Sequence, residues 1–163
     1  MSMSTSITYG IGSKITESNK IADFIRNHRE TLYAIQNSLT AHRPANILDY
    51  YNLLEDVDAD EPMSSDELYV KYDELESACD SCTTGLPAVI SDVISIENDI
   101  RVMFLEEQDE PVKYIMFAEA LPWQYNDKEK ALTQESLTGI FKKYFDELEI
   151  PLDMDYIQVE YFG

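Results

Sequence analysis

The character of the hydrophobic pattern changes along this chain after Gly85, and that change points to the fold class. Upstream, apolar residues return every three or four positions, as on one face of a helix. Downstream, β-branched residues and period-two alternation take over. Over 18–42, Ile21, Ile25, Leu32, Ile35 and Leu39 keep spacings of four and three once His28 is admitted between them. This predicts one long amphipathic helix, ended by Pro44. A shorter helix is expected over about 45–55, with Ile47, Tyr50, Tyr51 and Leu54 on one side, followed by an acidic loop over 56–63. A third helix starting near Ser64 places Leu68, Tyr72, Leu75 and Cys79 on one stripe and Asp66, Val70, Asp73 and Glu74 on the other.

Beyond Gly85, residues 100–105 and 112–118 alternate and read as a hairpin around 106–111. Another helix is expected from Thr133, with Leu137, Ile140, Phe141, Tyr144 and Leu148 inward, closed by Pro151. Residues 156–162 alternate as a final strand, whereas 89–96 fits a buried strand and a helical stripe equally well. The expectation is an α+β fold: N-terminal helices, then a three- or four-stranded antiparallel sheet with one further helix. A single domain is expected over 1–163, helical over about 14–80 and mixed over about 86–163, long enough to bury roughly two thirds of its unfolded surface.

The formal net charge is −20, and it is regional. Nineteen Asp and Glu fall within 44–112, against only Lys71 and Arg101. Such a charge disfavours nucleic acid and anionic membranes as direct partners and leaves basic proteins or divalent cations. No apolar run approaches the roughly 18 residues of a membrane span, and the first twelve residues lack a leader pattern, so a cytoplasmic protein is expected. Cys79 and Cys82 fit a reducing compartment. They end an acidic helix, where a thiolate is poorly stabilised, and His28 and His42 offer no local zinc spacing, so the pair is read as structural.

The sharpest local pattern is the acidic loop 56–67. Asp56, Asp58, Asp60, Ser64 and Glu67 stand at positions 1, 3, 5, 9 and 12 of a calcium loop and resemble an EF-hand, with Glu61 where that loop requires glycine. The same residues support a different arrangement, in which Ser64 caps the third helix and Glu67 closes a capping box. No Gly-rich phosphate loop and no nucleophile motif is present, and a small enzyme would rest on a carboxylate pair near Glu119 and Trp123.

The remaining feature is the mixture of acids and tyrosines over 49–80. Asp49, Tyr50, Tyr51, Asp58, Asp60, Asp66, Tyr69, Asp73 and Glu74 would together suit a partner lined with Arg and Lys. In charge and length the chain resembles acidic inhibitors of bacterial and phage or mobile-element origin: DNA-mimicking anti-restriction and anti-CRISPR proteins, and immunity proteins of nuclease toxins. The expected function is therefore a non-enzymatic inhibitor that blocks a basic, nucleic-acid-binding protein surface. The expected cofactor is none, or calcium in the 56–67 loop. The protein would be a monomer, or a homodimer formed through the heptad-like stripe around His28.

Overall fold

In the computed structural model, which describes residues 5–42, 52–78, 85–107 and 111–162, the chain starts in a strand, not in a helix. β1 (Thr5–Lys14) is followed by α1 (Ile21–Asn27), α2 (Arg29–His42), α3 (Leu53–Asp58), α4 (Ser65–Ala78) and α5 (Leu86–Asn98). The hairpin β2 (Val102–Glu106) and β3 (Lys113–Ala118) comes next, then a 3-10 turn at Pro122–Gln124, α6 (Asp127–Lys130), α7 (Gln134–Leu148) and β4 (Asp155–Phe162). The fold is α+β, as the change of period requires, with one four-stranded antiparallel sheet in the order β2-β3-β1-β4.

β1 was absent from the expected elements, yet it sits in the middle of the sheet, between the hairpin and the C-terminal strand. Its alternation of Ile7, Tyr9 and Ile11 with Thr8, Gly10 and Gly12 is a strand signal, weakened by the two glycines, which strands generally disfavour. Those glycines allow a close approach: a Cβ at Gly12 would lie 2.6 Å from Met116 Cα and 2.7 Å from Met116 Cβ.

One face of the sheet carries Ile115, Val102 and Ile11 toward the helices, with α5 packed on β2. The opposite face buries Leu105, Met116 and Val159 in a second cluster, bordered by Met103, Tyr114, Ile157 and Tyr161. The main core joins Phe24 and Ile25 of α1, Leu54 and Val57 of α3, Leu68 and Tyr72 of α4, and Phe141, Tyr144 and Phe145 of α7.

Three further expectations are decided here. Residues 89–96 lie inside α5, and Val89, Ile90, Val93 and Ile94 form its buried stripe. The long helix predicted over 18–42 is two helices that meet at His28, whose φ of −111° and ψ of 29° leave the helical region. The bend sets the His28 ring between α5 and α7, where it meets two carboxylates. Its heptad-like stripe, Ile21, Ile25, Leu32 and Ile35, is spent inside the chain's own core, so these side chains are not open to a second copy. In α4 the buried arc is Leu68, Tyr69 and Tyr72, while Leu75, expected inward, is exposed. The helix predicted over 45–55 falls largely outside the described residues, which hold its end as α3. Among the described residues no helix is long and apolar enough to cross a membrane.

Candidate functional site

α3 and α4 each bury an apolar arc and expose most of their described acids. α3 commits Leu53, Leu54 and Val57 to the core, leaving Glu55 and Asp58 exposed. α4 exposes Asp66, Glu67, Asp73 and Glu74, and the connection between them adds Asp60 and Glu61. The bases around this face are already engaged. Arg29 Nη2 donates to Asp58 Oδ1 at 2.8 Å, and this hydrogen bond holds the Asp58 carboxyl below the ordinary range. Lys71 Nζ lies 2.8 Å from Asp56 Oδ2, and Arg26 is bound to Asp23 and the Val57 carbonyl. Asp60, Glu61, Asp66 and Glu74 thus stand exposed, with no ionic partner among the described residues.

Of the other residues expected on this surface, Tyr69 lies in the core. Its hydroxyl accepts from Ser18 N at 2.9 Å, and burial pushes its phenol up to about 12. The apolar arc of α4 is one residue wider than its polar neighbours suggested, and that residue is Tyr69. Asp49, Tyr50, Tyr51 and the Cys79/Cys82 pair lie outside the described residues.

The loop 56–67 uses three of its acids, Asp56, Asp58 and Glu67, for folding contacts. Asp56 sits in the last turns of α3 and receives Lys71 Nζ at 2.9 and 2.8 Å together with the Tyr72 hydroxyl. At the start of α4, Glu67 N donates to Ser64 Oγ at 3.2 Å and Ser64 N donates to Glu67 Oε1 at 3.4 Å, a reciprocal capping box. Among the described residues no three His, Cys, Asp or Glu side chains are grouped to hold a metal. Ser64→Ala is expected to lower stability by about 1 kcal/mol in EDTA, measured by urea unfolding. A calcium ligand at this position would show its effect only with calcium present.

A cleft of about 510 Å³ opens between the sheet and the start of α7, lined by Ile11, Phe117, Pro122, Tyr125, Leu132 and Leu137. The Glu129 carboxylate at its wall is only 1% exposed. Burial alone would push this carboxyl up. Its bonds from Asn126 N (3.0 Å), Arg101 N (3.0 Å) and Arg101 Nε (3.3 Å) outweigh burial and hold it below the ordinary carboxyl range. Glu129 is thus a fixed anion tying α6 to the start of β2, and it lacks the raised value that a carboxyl acid catalyst needs. Glu119 and Trp123, near which the sequence places a carboxylate pair for a small enzyme, lie outside the lining. Glu119 accepts from the Tyr156 hydroxyl at 2.9 Å, and Trp123 is 77% exposed.

A connected polar cluster centres on His28, whose side chain is 10% exposed. Nδ1 is 2.7 Å from Glu97 Oε2, and Nε2 is 2.8 Å from Glu147 Oε2. Glu97 also accepts from Thr31 Oγ1 (2.7 Å) and from the Tyr144 hydroxyl (2.8 Å), which in turn accepts from Asn98 Nδ2 (2.9 Å). Only the imidazolium form donates from both ring nitrogens. Burial would push the Glu97 carboxyl up, but the bonds from Thr31, His28 and Tyr144 together hold it down. Burial, with Glu97 alongside, pushes the Tyr144 phenol up. Because both His28 nitrogens are occupied, the ring has no free position for a substrate. Its geometry is that of a clamp joining the α1–α2 bend to α5 and α7. Comparison with protein-family models, with curated proteins and with solved structures finds no match to this chain.

Proposed function

We propose that this chain is a non-enzymatic acidic binding protein that blocks a basic protein surface, of the kind that normally holds nucleic acid. The observation that carries the reading is the set of exposed carboxylates without an ionic partner among the described residues, Asp60 and Glu61 in the α3–α4 connection and Asp66 and Glu74 on α4. On α4 the offsets Asp66 to Asp73 and Glu67 to Glu74 each rise about 10.5 Å along one face, so the charge forms a row that Arg and Lys of a groove can follow. Val70, exposed within that row, supplies apolar contact beside it. A DNA-mimicking or immunity-type inhibitor of phage, mobile-element or bacterial origin fits these properties. It would act in the cytoplasm, where Cys79 and Cys82 stay reduced.

The test is a reversal that spares the fold. Asp56, Asp58 and Glu67 are left intact because they hold Lys71, Arg29 and the α4 cap, and Asp60, Glu61, Asp66 and Glu74 are each replaced by Lys. In capture from bacterial lysate, the native chain is expected to retain a basic nucleic-acid-binding protein that elutes between about 0.2 and 0.5 M salt, with or without EDTA. The fourfold variant is expected to retain none of it. Equal retention by both chains would sink the reading.

A further inference from the structure

The cleft between the sheet and the start of α7 has walls held in place by their own contacts. Phe117 of β3 and Tyr125 form its aromatic side, both half-buried, with ring centroids 5.8 Å apart at 27°. Tyr125 is held at two points. Its hydroxyl accepts from Ala120 N at 2.8 Å, and Arg101 lies over its ring with Cζ 5.9 Å from the centroid. Arg101 is fixed in turn by Glu129 and by the Gln124 carbonyl, to which Nη2 donates at 2.9 Å. Gln124 Oε1 accepts from Leu121 N at 2.8 Å and so closes the turn that carries Pro122. Ile11, Leu132 and Leu137 complete the apolar lining. At about 510 Å³ this space is the size of a small-molecule site.

The charge at this cleft differs from that of the α3–α4 face. Residues 113–134 hold three lysines and three acids, whereas 44–112 hold nineteen acids against two bases. The one carboxylate in the lining, that of Glu129, is occupied: it accepts two N–H bonds from Arg101 and one from Asn126. Lys130 lines the same cleft, is exposed, and has no ionic partner among the described residues. Thr133 and Gln134, also in the lining, begin α7, so the positive end of that helix adds to the same sign. An incoming cation therefore finds no open carboxylate in the lining, while an incoming anion finds an ammonium group.

We propose that this cleft binds a small aryl monocarboxylate, with its ring against Phe117 and Tyr125 and its carboxylate on Lys130 and the side-chain amide of Gln134. The aromatic and aliphatic lining selects the body of the ligand, and Lys130 selects the head group. The site shares no residue with the α3–α4 face, so it stands or falls independently of inhibition by that face.

Phenylbutyrate is the probe, titrated into the full chain and followed by amide NMR. Phenylbutanol and phenylbutylamine, which keep the ring and chain and change only the charge, are titrated beside it. Phenylbutyrate is expected to bind with a Kd of about 1 mM or below and to shift the amides of Phe117, Tyr125 and 129–137. The alcohol should bind about fivefold more weakly, and the amine not measurably. Lys130→Gln should bring the carboxylate to the affinity of the alcohol and leave the alcohol within about twofold of its native value. Leu132→Trp, which fills the cleft, should abolish binding of both. Leu132 packs against the core, so Lys130→Gln, at an exposed side chain, carries the test if the Leu132 variant does not fold. Three results would overturn the proposal: no binding of phenylbutyrate, equal binding of the amine, or an affinity for phenylbutyrate unchanged in Lys130→Gln. Binding that shifts amides away from the cleft, or that survives in a folded Leu132→Trp chain, would overturn it as well.

Discussion

Gly12→Ala is expected to destabilise the protein by about 3 kcal/mol or more, the upper range for overpacking a close-packed site. The new Cβ would meet Met116 Cα at 2.6 Å and overlap the Ile115 carbonyl oxygen, both of them backbone of β3. Neither can turn aside as a side chain would. Relief therefore requires β1 and β3 to separate, and β1 is the strand that joins the hairpin to β4. Gly10→Ala should behave similarly, against Ala118 Cα at 2.9 Å. In a protein of this size the loss corresponds to a fall in Tm of about 6 to 12 °C. Gly139→Ala is the control. It is exposed within α7 with nothing near the new methyl, and should gain about 0.5 to 1 kcal/mol from helix propensity. A Gly12 variant that melts with the native chain would contradict this account of the sheet.

Glu97→Ala is expected to cost about 3 kcal/mol, because it leaves His28 Nδ1, Thr31 Oγ1 and the Tyr144 hydroxyl facing a site without an acceptor. Tyr144→Phe should cost less, about 1 kcal/mol, since it removes one donor and leaves Glu97 its other two. Combined with Glu97→Ala it should give a clear coupling energy in a double-mutant cycle. The pH dependence follows from the direction of the shift. The Glu97 carboxyl is held below its unfolded value, so the stability it adds is present above the ordinary carboxyl range. That stability disappears as pH falls through the folded value. Glu129 acts in the same sense through Arg101 and Asn126. Urea unfolding of the native chain should therefore show stability declining below about pH 4 to 5, with a shallower decline in Glu97→Gln, which has no proton to take up. An identical slope in that variant would remove Glu97 from the acid response.

The sequence carried much of this fold because most of its elements bury one side only. α4, α7, the hairpin and β4 were all legible from the spacing of apolar residues, and Ser64 with Glu67 announced the α4 cap. α5 and β1 were harder for opposite reasons. α5 is apolar over most of its circumference, so both periods fit it, whereas β1 contains glycines that only a neighbouring strand explains. The bend at His28 has no local cause in sequence. At the bend His28 meets Glu97 and Glu147, 69 and 119 residues away.

For function, composition alone determined that the chain is acidic, and regionally so, which restricts its partners by simple electrostatics. The tertiary structure decided which acids are available. It withdrew Asp56, Asp58 and Glu67 into contacts of the fold, sent Tyr69 inward, and stacked Tyr9 of β1 on Tyr156 of β4, whose hydroxyl donates to Glu119 just beyond β3. Periodicity reports how each segment divides its own surface between core and water. Which distant side chains then meet depends on how those surfaces pack, a property of pairs of segments that no single stretch of sequence contains.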